Sequence, residues 1–349
     1  MLDDPAATAG VDAQHMLATI GRTGDMLVAG WQAAGGIAVP LEAPAAVVVC
    51  GLGGSAIGGD LLAALLAPSS PAPVICVRDD ALPAFVGPRT LVLACSYSGD
   101  TAETLAAYEA ARQAGARIVV VTSGGRLASL ARDDGGGLAL VPSGMQPRAA
   151  LPLLIAPMLR VAGNCGLTAI DEHQIRAAAG HLTDLAARWG PGKPAVDNPA
   201  KALAIGLQGT IPIVYASTPR LAPAARRWKT QLNENSKVLA ATDVFPELLH
   251  NEIVGWESVR GGEPALHVAV LREPGEDLQA RRRIEAARAH GLARARAITD
   301  VWARGDAFLD RILSLVLFGD LVSAYLAILS GIDPTPVEPI ARIKAALRP

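Results

Sequence analysis

Ala46-Val47-Val48-Val49-Cys50 runs directly into Gly51-Leu52-Gly53-Gly54-Ser55-Ala56-Ile57-Gly58-Gly59-Asp60. A short apolar run bounded by glycine has the length of a buried strand, and the Leu/Ala-rich segment Ile57–Leu66 behind it has helical composition. Glycines at such a junction let backbone N–H groups approach an anion, and the helix N-terminus adds about half a positive charge there. A tight strand-to-helix turn is the plain alternative. Gly51-x-Gly53-x-x-Ala56 also fits a dinucleotide fingerprint, with Asp79 or Asp80 at the end of the next strand, where a ribose-binding acid would stand.

The pattern repeats outward from this junction. Apolar runs recur at Val74–Val77, Leu91–Cys95, Ile118–Thr122 and Leu138–Val141, with helical segments at Ala102–Ala114 and Arg126–Arg132 between them. Strands alternating with helices predict βαβ units and a parallel sheet covered on both faces. Upstream, Met16, Leu17, Ile20, Met26 and Leu27 recur at helical spacing. Downstream, helices are expected at Ala149–Leu167 and Asp171–Trp189, and Gly190-Pro191-Gly192-Lys193-Pro194 continues neither helix nor strand. A second alternation follows: a strand at Ile211–Ala216, a helix at Leu221–Leu232, a strand at Leu266–Leu271, a helix at Asp277–His290 and a strand near Ala295–Ile298. Helices at Ala307–Ser330 and Pro339–Leu347 close the chain. The expected class is α/β, with two doubly wound domains, each a mainly parallel sheet flanked by helices. The expected division is 1–38 as an N-terminal helical segment, 39–167 as the first domain and 168–349 as the second.

Of the 349 residues 51% are hydrophobic, which supplies large cores and excludes intrinsic disorder. The net charge of −2 provides no broad basic footprint for nucleic acid or an anionic membrane. Mean hydropathy is +0.31, and the most apolar stretch, Ile312 to Ile332, contains Asp320 with Ser314, Ser323 and Ser330. A carboxylate at mid-span costs about 2.5–3.5 kcal/mol in a bilayer, so a buried helix is expected there. The start, MLDDPAATAG, has neither the basic nor the apolar region of a signal peptide. Cys50, Cys76, Cys95 and Cys165 form no CxxC pair and read as reduced thiols. Both features point to the cytoplasm.

A second loop separates the possibilities left open by the first. Ser96-Tyr97-Ser98-Gly99-Asp100-Thr101 follows the third strand and opens a helix, with Glu103 and Thr104 behind. Three hydroxyls can converge on one anion, each donating a hydrogen bond without carrying charge. A dinucleotide fold has no need of such a cluster here, whereas a phosphomonoester does; an ordinary Ser/Thr helix cap is the bland alternative. Together the two loops resemble the sugar-isomerase (SIS) domain, a phosphosugar-binding α/β module. The resemblance implies phosphate binding by Ser96, Ser98 and Thr101, with Gly54 and Ser55 lining the sugar side.

The second half adds Arg226-Arg227-Trp228-Lys229-Thr230-Gln231-Leu232-Asn233-Glu234-Asn235-Ser236-Lys237 and, sixteen residues beyond Glu234, His250-Asn251-Glu252-Ile253-Val254-Gly255-Trp256. Glu234 falls off the apolar stripe of Leu221, Ala224, Trp228 and Leu232, so packing does not account for it. Pro334-Thr335-Pro336-Val337-Glu338-Pro339-Ile340-Ala341-Arg342-Ile343-Lys344 stands near the end. Carboxylate, imidazole, ammonium and guanidinium are the groups needed to open a sugar ring, shuttle a proton between two carbons and face a developing oxyanion. With GGSAIGGD, SYSGDTAET and PRAALP (Pro147–Pro152), these segments look like those of the bifunctional phosphoglucose/phosphomannose isomerases, in family order over nearly the whole chain.

That resemblance implies aldose–ketose isomerisation of glucose 6-phosphate and mannose 6-phosphate to fructose 6-phosphate through a cis-enediol(ate), a step of carbohydrate metabolism shared by glycolysis and gluconeogenesis. It implies Glu234 as the C1/C2 proton-transfer base, His250 as a ring-opening acid/base reaching the site from a partner subunit of a homodimer, Lys344 assisting ring opening, and Arg148 stabilising the enediolate. No metal or redox cofactor is implied. Glu252 is the residue most easily confused with the base, while His15, His173, His181, His267 and His290 belong to no motif. Leu239 and Leu249 depart from the family, which often has Pro and a polar residue there, and the loop spacing leaves open whether Thr335 stands for the family hydroxyl that helps accept the C2 epimer. Two other classes remain: a non-catalytic phosphosugar sensor, which usually carries a DNA-binding segment, and an NAD-dependent oxidoreductase built on Gly51-x-Gly53.

Overall fold

The computed structural model describes residues 1–39, 43–259 and 265–346, apart from the side chain of Lys344. The chain opens with helices α1 (Pro5–Val11), α2 (Met16–Gly21) and α3 (Thr23–Ala33). The first alternation follows as β1 (Ala46–Cys50), α4 (Gly54–Leu66), β2 (Val74–Val77), β3 (Thr90–Cys95), α5 (Ala102–Gln113), β4 (Arg117–Thr122), α6 (Gly125–Asp133) and β5 (Gly137–Leu140). A 3₁₀ turn at Pro147–Ala150 leads into α7 (Leu151–Asn164), followed by α8 (Glu172–Trp189) and α9 (Pro199–Leu207). The second alternation comprises β6 (Thr210–Ala216), α10 (Ala222–Glu234), β7 (Ala241–Val244), the short α11 (Glu252–Gly255), β8 (Ala265–Arg272), α12 (Leu278–His290) and β9 (Ala297–Trp302). Helices α13 (Phe308–Leu329) and α14 (Glu338–Ala346) complete it.

Two compact units result. One comprises Arg22–Asp184 with Phe308–Asp310; the other comprises Met1–Gly21, Leu185–Ala307 and Arg311–Pro349. The sheet of the first has the order β2-β1-β3-β4-β5 and that of the second β7-β6-β8-β9, with every pair parallel. The α/β class and the parallel sheets expected from the sequence are both observed.

Burial explains why the central strands read as unbroken apolar runs. All of β1 and β3 is buried, because helices cover both faces of a parallel sheet. Val48, Cys50 and Val92 pack against Ala107 and Ala111 of α5 on one face. On the other face Gly59 of α4 lies so close to Val49 that a Cβ there would sit 2.9 Å from its methyl carbon. In the second unit Ile213, Tyr215, Val268 and Val270 of the sheet pack with Phe245, Leu248, Trp256 and Ile284. Helix α13 is long and apolar enough to cross a membrane, with a mean hydropathy of 2.2, yet 94% of that window is buried within the fold. Its one mid-helix carboxylate, Asp320, meets a guanidinium there.

Candidate active site

In the first unit, β1 and β3 are neighbours, and the connection from β1 goes to β2 on the opposite side. The loops leaving their carboxyl ends therefore flank the topological switch point, where open α/β sheets bind ligands. They touch: a Cβ on Gly51 would sit 2.7 Å from the Cys95 carbonyl oxygen and 2.8 Å from Ser55 Cβ. The glycine-rich and hydroxyl-rich segments thus meet at one switch point.

The 96–101 loop is a folded cradle. Ser96 Oγ is 2.8 Å from Thr101 Oγ1 and 3.5 Å from Ser98 Oγ, and it accepts from the Gly99 N–H at 3.1 Å. Thr101 holds the N-cap position of α5 but makes no side-chain cap bond; its hydroxyl is turned to Ser96 instead. That geometry argues against the helix-cap alternative. Ser96 is buried, Thr101 half-buried and Ser98 exposed, so the cluster grades from floor to rim. Gly99, at φ 76°, approaches α6 so closely that a Cβ would lie 1.9 Å from the Gly124 carbonyl oxygen. Around it, the Tyr97 hydroxyl donates to the Pro142 carbonyl at 3.0 Å, and Asp100 Oδ1 accepts from the Arg126 N–H at 2.9 Å. The loop is held from both sides before any ligand arrives.

Gly54 opens α4 against the turn that carries Arg148: a Cβ there would meet the Pro147 carbonyl oxygen at 3.3 Å and Arg148 Cα at 3.5 Å. The structure therefore brings Arg148, which is 3% exposed, to the N-terminus of α4. Ser55 is buried and bonds to the Cys95 thiol, which burial pushes up to about 12, so this cysteine is no nucleophile at neutral pH.

In the second unit Glu234 is the last residue of α10 and is half-buried. The turn beyond it is bolted to α13: Asn235 Nδ2 donates to Ser323 Oγ at 2.9 Å, and Ser236 Oγ donates to the Ser323 carbonyl at 2.7 Å. Lys237, at φ 57°, folds back so that Nζ reaches the Glu234 carbonyl oxygen at 2.6 Å. His250 ends a 3₁₀ turn, Glu247–His250, and is exposed. Because α10 runs antiparallel to the strands it connects, it returns to the amino end of β7, whereas His250 follows the carboxyl end of that strand. The two residues thus sit on opposite ends of one βαβ unit.

Glu252 has a different place. Tyr215 Oη donates to its Oε1, and Trp256 Nε1 donates to Tyr215 Oη at 2.9 Å. Burial raises the Glu252 pKa, the Tyr215 bond opposes that, and Asp243 adds to it. It ties the 250–256 segment to the sheet. His267 is likewise structural, held by Thr299 Oγ1 at 2.9 Å and facing the Gly206 carbonyl at 3.1 Å, with its pKa lowered by burial. Leu249 packs on the sheet core, Leu239 is exposed, and Thr335 is buried between α13 and α14. Lys344 lies on α14, and its side chain lies outside the described residues. Among the described residues no three His, Cys, Asp or Glu side chains are grouped to hold a metal ion.

Residues 196–347 match the bacterial phospho-glucose isomerase C-terminal SIS domain family. The chain is 40% identical over 301 residues to the bifunctional phosphoglucose/phosphomannose isomerase of Caldicellulosiruptor bescii, spanning 86% of this chain and 89% of that protein. To the enzyme of the same description from Aquifex aeolicus it is 33% identical over 305 residues, 86% and 90% of the two chains. The fold is similar to that of a glucose-6-phosphate isomerase like protein from Thermus thermophilus, with a TM-score of 0.65, 22% identity and coverage of 99% and 98%.

Proposed function

Because the chain belongs to the bifunctional phosphoglucose/phosphomannose isomerase family, we propose that it interconverts glucose 6-phosphate and mannose 6-phosphate with fructose 6-phosphate. The observation that carries this reading is the Ser96–Ser98–Thr101 cradle at the switch point, whose hydroxyls are turned to one another rather than spent on capping α5. Neutral donors on a loop preset by Gly99 suit a phosphoryl group, and Gly54 and Ser55 extend the crevice on the sugar side. The chemistry explains why one site serves two aldoses. Glucose and mannose 6-phosphates differ only at C2, and that centre is planar in the enediol, so both lead to one intermediate. In this reading His250 and Lys344 move the ring-opening proton. The Glu234 carboxylate takes the C2 proton and returns it to C1 while the O2 proton passes to O1, and Arg148 faces the enediolate oxygen. Coupled assays with each aldose phosphate are expected to give fructose 6-phosphate from both. Binding without turnover would favour the sensor reading.

We propose in addition a cytoplasmic homodimer in which His250 serves the neighbouring site. The placement of Glu234 and His250 at opposite ends of one βαβ unit supports it. Glu234→Gln and His250→Ala, each inactive alone, are then complementary. In a mixed dimer one site collects both substitutions and the other neither, so random reassortment restores about a quarter of wild-type activity. No recovery on mixing would place His250 in its own subunit's site.

A further inference from the structure

The second sheet repeats the order of the first: β6 stands where β1 does, β7 where β2 does and β8 where β3 does. It therefore has its own switch point, at the carboxyl ends of β6 and β8, and ligands favour such a crevice. The loops there differ in chemistry. Ser96 is the residue immediately after β3, and its counterpart immediately after β8 is Glu273. Glu273 is 6% exposed, and its carboxylate lies within ion-pair distance of two guanidinium groups. Arg220 Nε lies 3.1 Å from Oε1, Arg311 Nε lies 3.4 Å from Oε2, and Thr218 Oγ1 donates to Oε1 at 3.5 Å. Ser217, the first residue after β6, is 2% exposed, and its Oγ has no hydrogen-bond partner among the described residues.

We propose that this crevice is a second phosphoryl-anion site, which the chain fills with its own Glu273 carboxylate. Two guanidinium groups and a hydroxyl, from the turn after β6 and from α13, are the donor set that binds phosphate monoesters. The neighbouring charges are otherwise spoken for. Arg272 forks onto Glu276 at 2.6–3.0 Å, lies 3.4 Å from Asp300, and stacks 4.6 Å from the Trp302 ring centre, while Arg288 also pairs with Asp300. Glu273 pairs with both Arg220 and Arg311. A phosphate approaching the native crevice meets a fixed negative charge in the place it would occupy. The first sheet, with Ser96 at the equivalent position, has no such charge. This inference stands on the ion geometry and holds whether or not the chain is an isomerase.

The test uses inorganic phosphate on the full-length protein. Glu273→Ser reinstates the residue type of the first cradle and removes the carboxylate that lies against Arg220 and Arg311. Isothermal titration is expected to count one more phosphate per chain than in wild type, and that increment disappears when Arg311→Met is added. Thermal unfolding reads the same event: at phosphate 100-fold above its Kd the variant gains about 2.7 kcal/mol that wild type does not. Should Glu273→Ser fold poorly, phosphate is expected to rescue it. Glu273→Gln, which keeps the volume, is expected to show no added stoichiometry. Equal stoichiometry in Glu273→Ser and wild type, or an increment that survives Arg311→Met, overturns the proposal. Because the increment is counted over wild type in a binding measurement, failure of the isomerase reading shows separately, as absence of turnover.

Discussion

Glu234→Gln is expected to lower kcat by about 10²–10⁴ while leaving phosphosugar binding within a few-fold of wild type. The amide preserves the shape and volume of the side chain and removes the charge and basicity that the proposed C2 proton transfer requires. The turn after Glu234 is fixed by Asn235 and Ser236 on Ser323, and by Lys237 on the backbone carbonyl of residue 234 itself. The substitution should therefore not move α10. The proposed phosphate cradle at 96–101 belongs to the other compact unit, so KM and the Kd for fructose 6-phosphate should change little. Exchange of the C2 proton with solvent deuterium should fall in parallel with turnover, since both pass through the same base. A variant that turns over normally, or one whose loss lies entirely in KM, removes Glu234 from the proton path.

Motifs that fold locally were the legible part of this chain. The strands β1 and β3 announce themselves because both faces are buried, which leaves no polar alternation to blur the signal. The edge strand β7, Ala-Thr-Asp-Val, has no apolar run and went unread; only its pairing with β6 makes it a strand. At the other edge the strand expected near Ala295–Ile298 is β9, Ala297–Trp302. Thr299 and Asp300 look like loop residues until their partners His267, Arg272 and Arg288 are seen. The hydroxyl loop was visible as composition. That Thr101 turns to Ser96 rather than capping α5 is a matter of rotamer, which spacing does not encode. The same limit applies to Glu252, whose tie to Tyr215 spans 37 residues, and to Glu273, whose charge is balanced from positions 220 and 311. Long-range polar pairs leave no periodic trace, so they are found only in coordinates.

Arg227→Met is expected to destabilise the second unit by about 3–5 kcal/mol, the cost of stranding one member of a buried ion pair. Arg227 is 1% exposed and forks onto Asp320, with Nε to Oδ1 and Nη2 to Oδ2 both at 2.9 Å. Asp320 stands mid-way along α13 and is buried, so a carboxylate that has lost this fork has little water to fall back on. Helices α10 and α13 are otherwise locked by packing: Trp228 Nε1 donates to the Leu315 carbonyl at 2.7 Å, and the indole passes so close to Gly319 that a Cβ there would lie 2.3 Å away. Such close contact leaves no room for the helices to separate and hydrate the stranded charge. At about 2–4 °C per kcal/mol for a unit of this size, the melting temperature should fall on the order of 10 °C. Adding Asp320→Leu should return most of that loss, because replacing a buried pair by apolar groups of similar volume is close to neutral. If the double variant is no more stable than Arg227→Met alone, the deficit comes from lost packing rather than from an uncompensated charge. Recovery of stability without recovery of kcat would show that this fork also sets where α10 delivers Glu234.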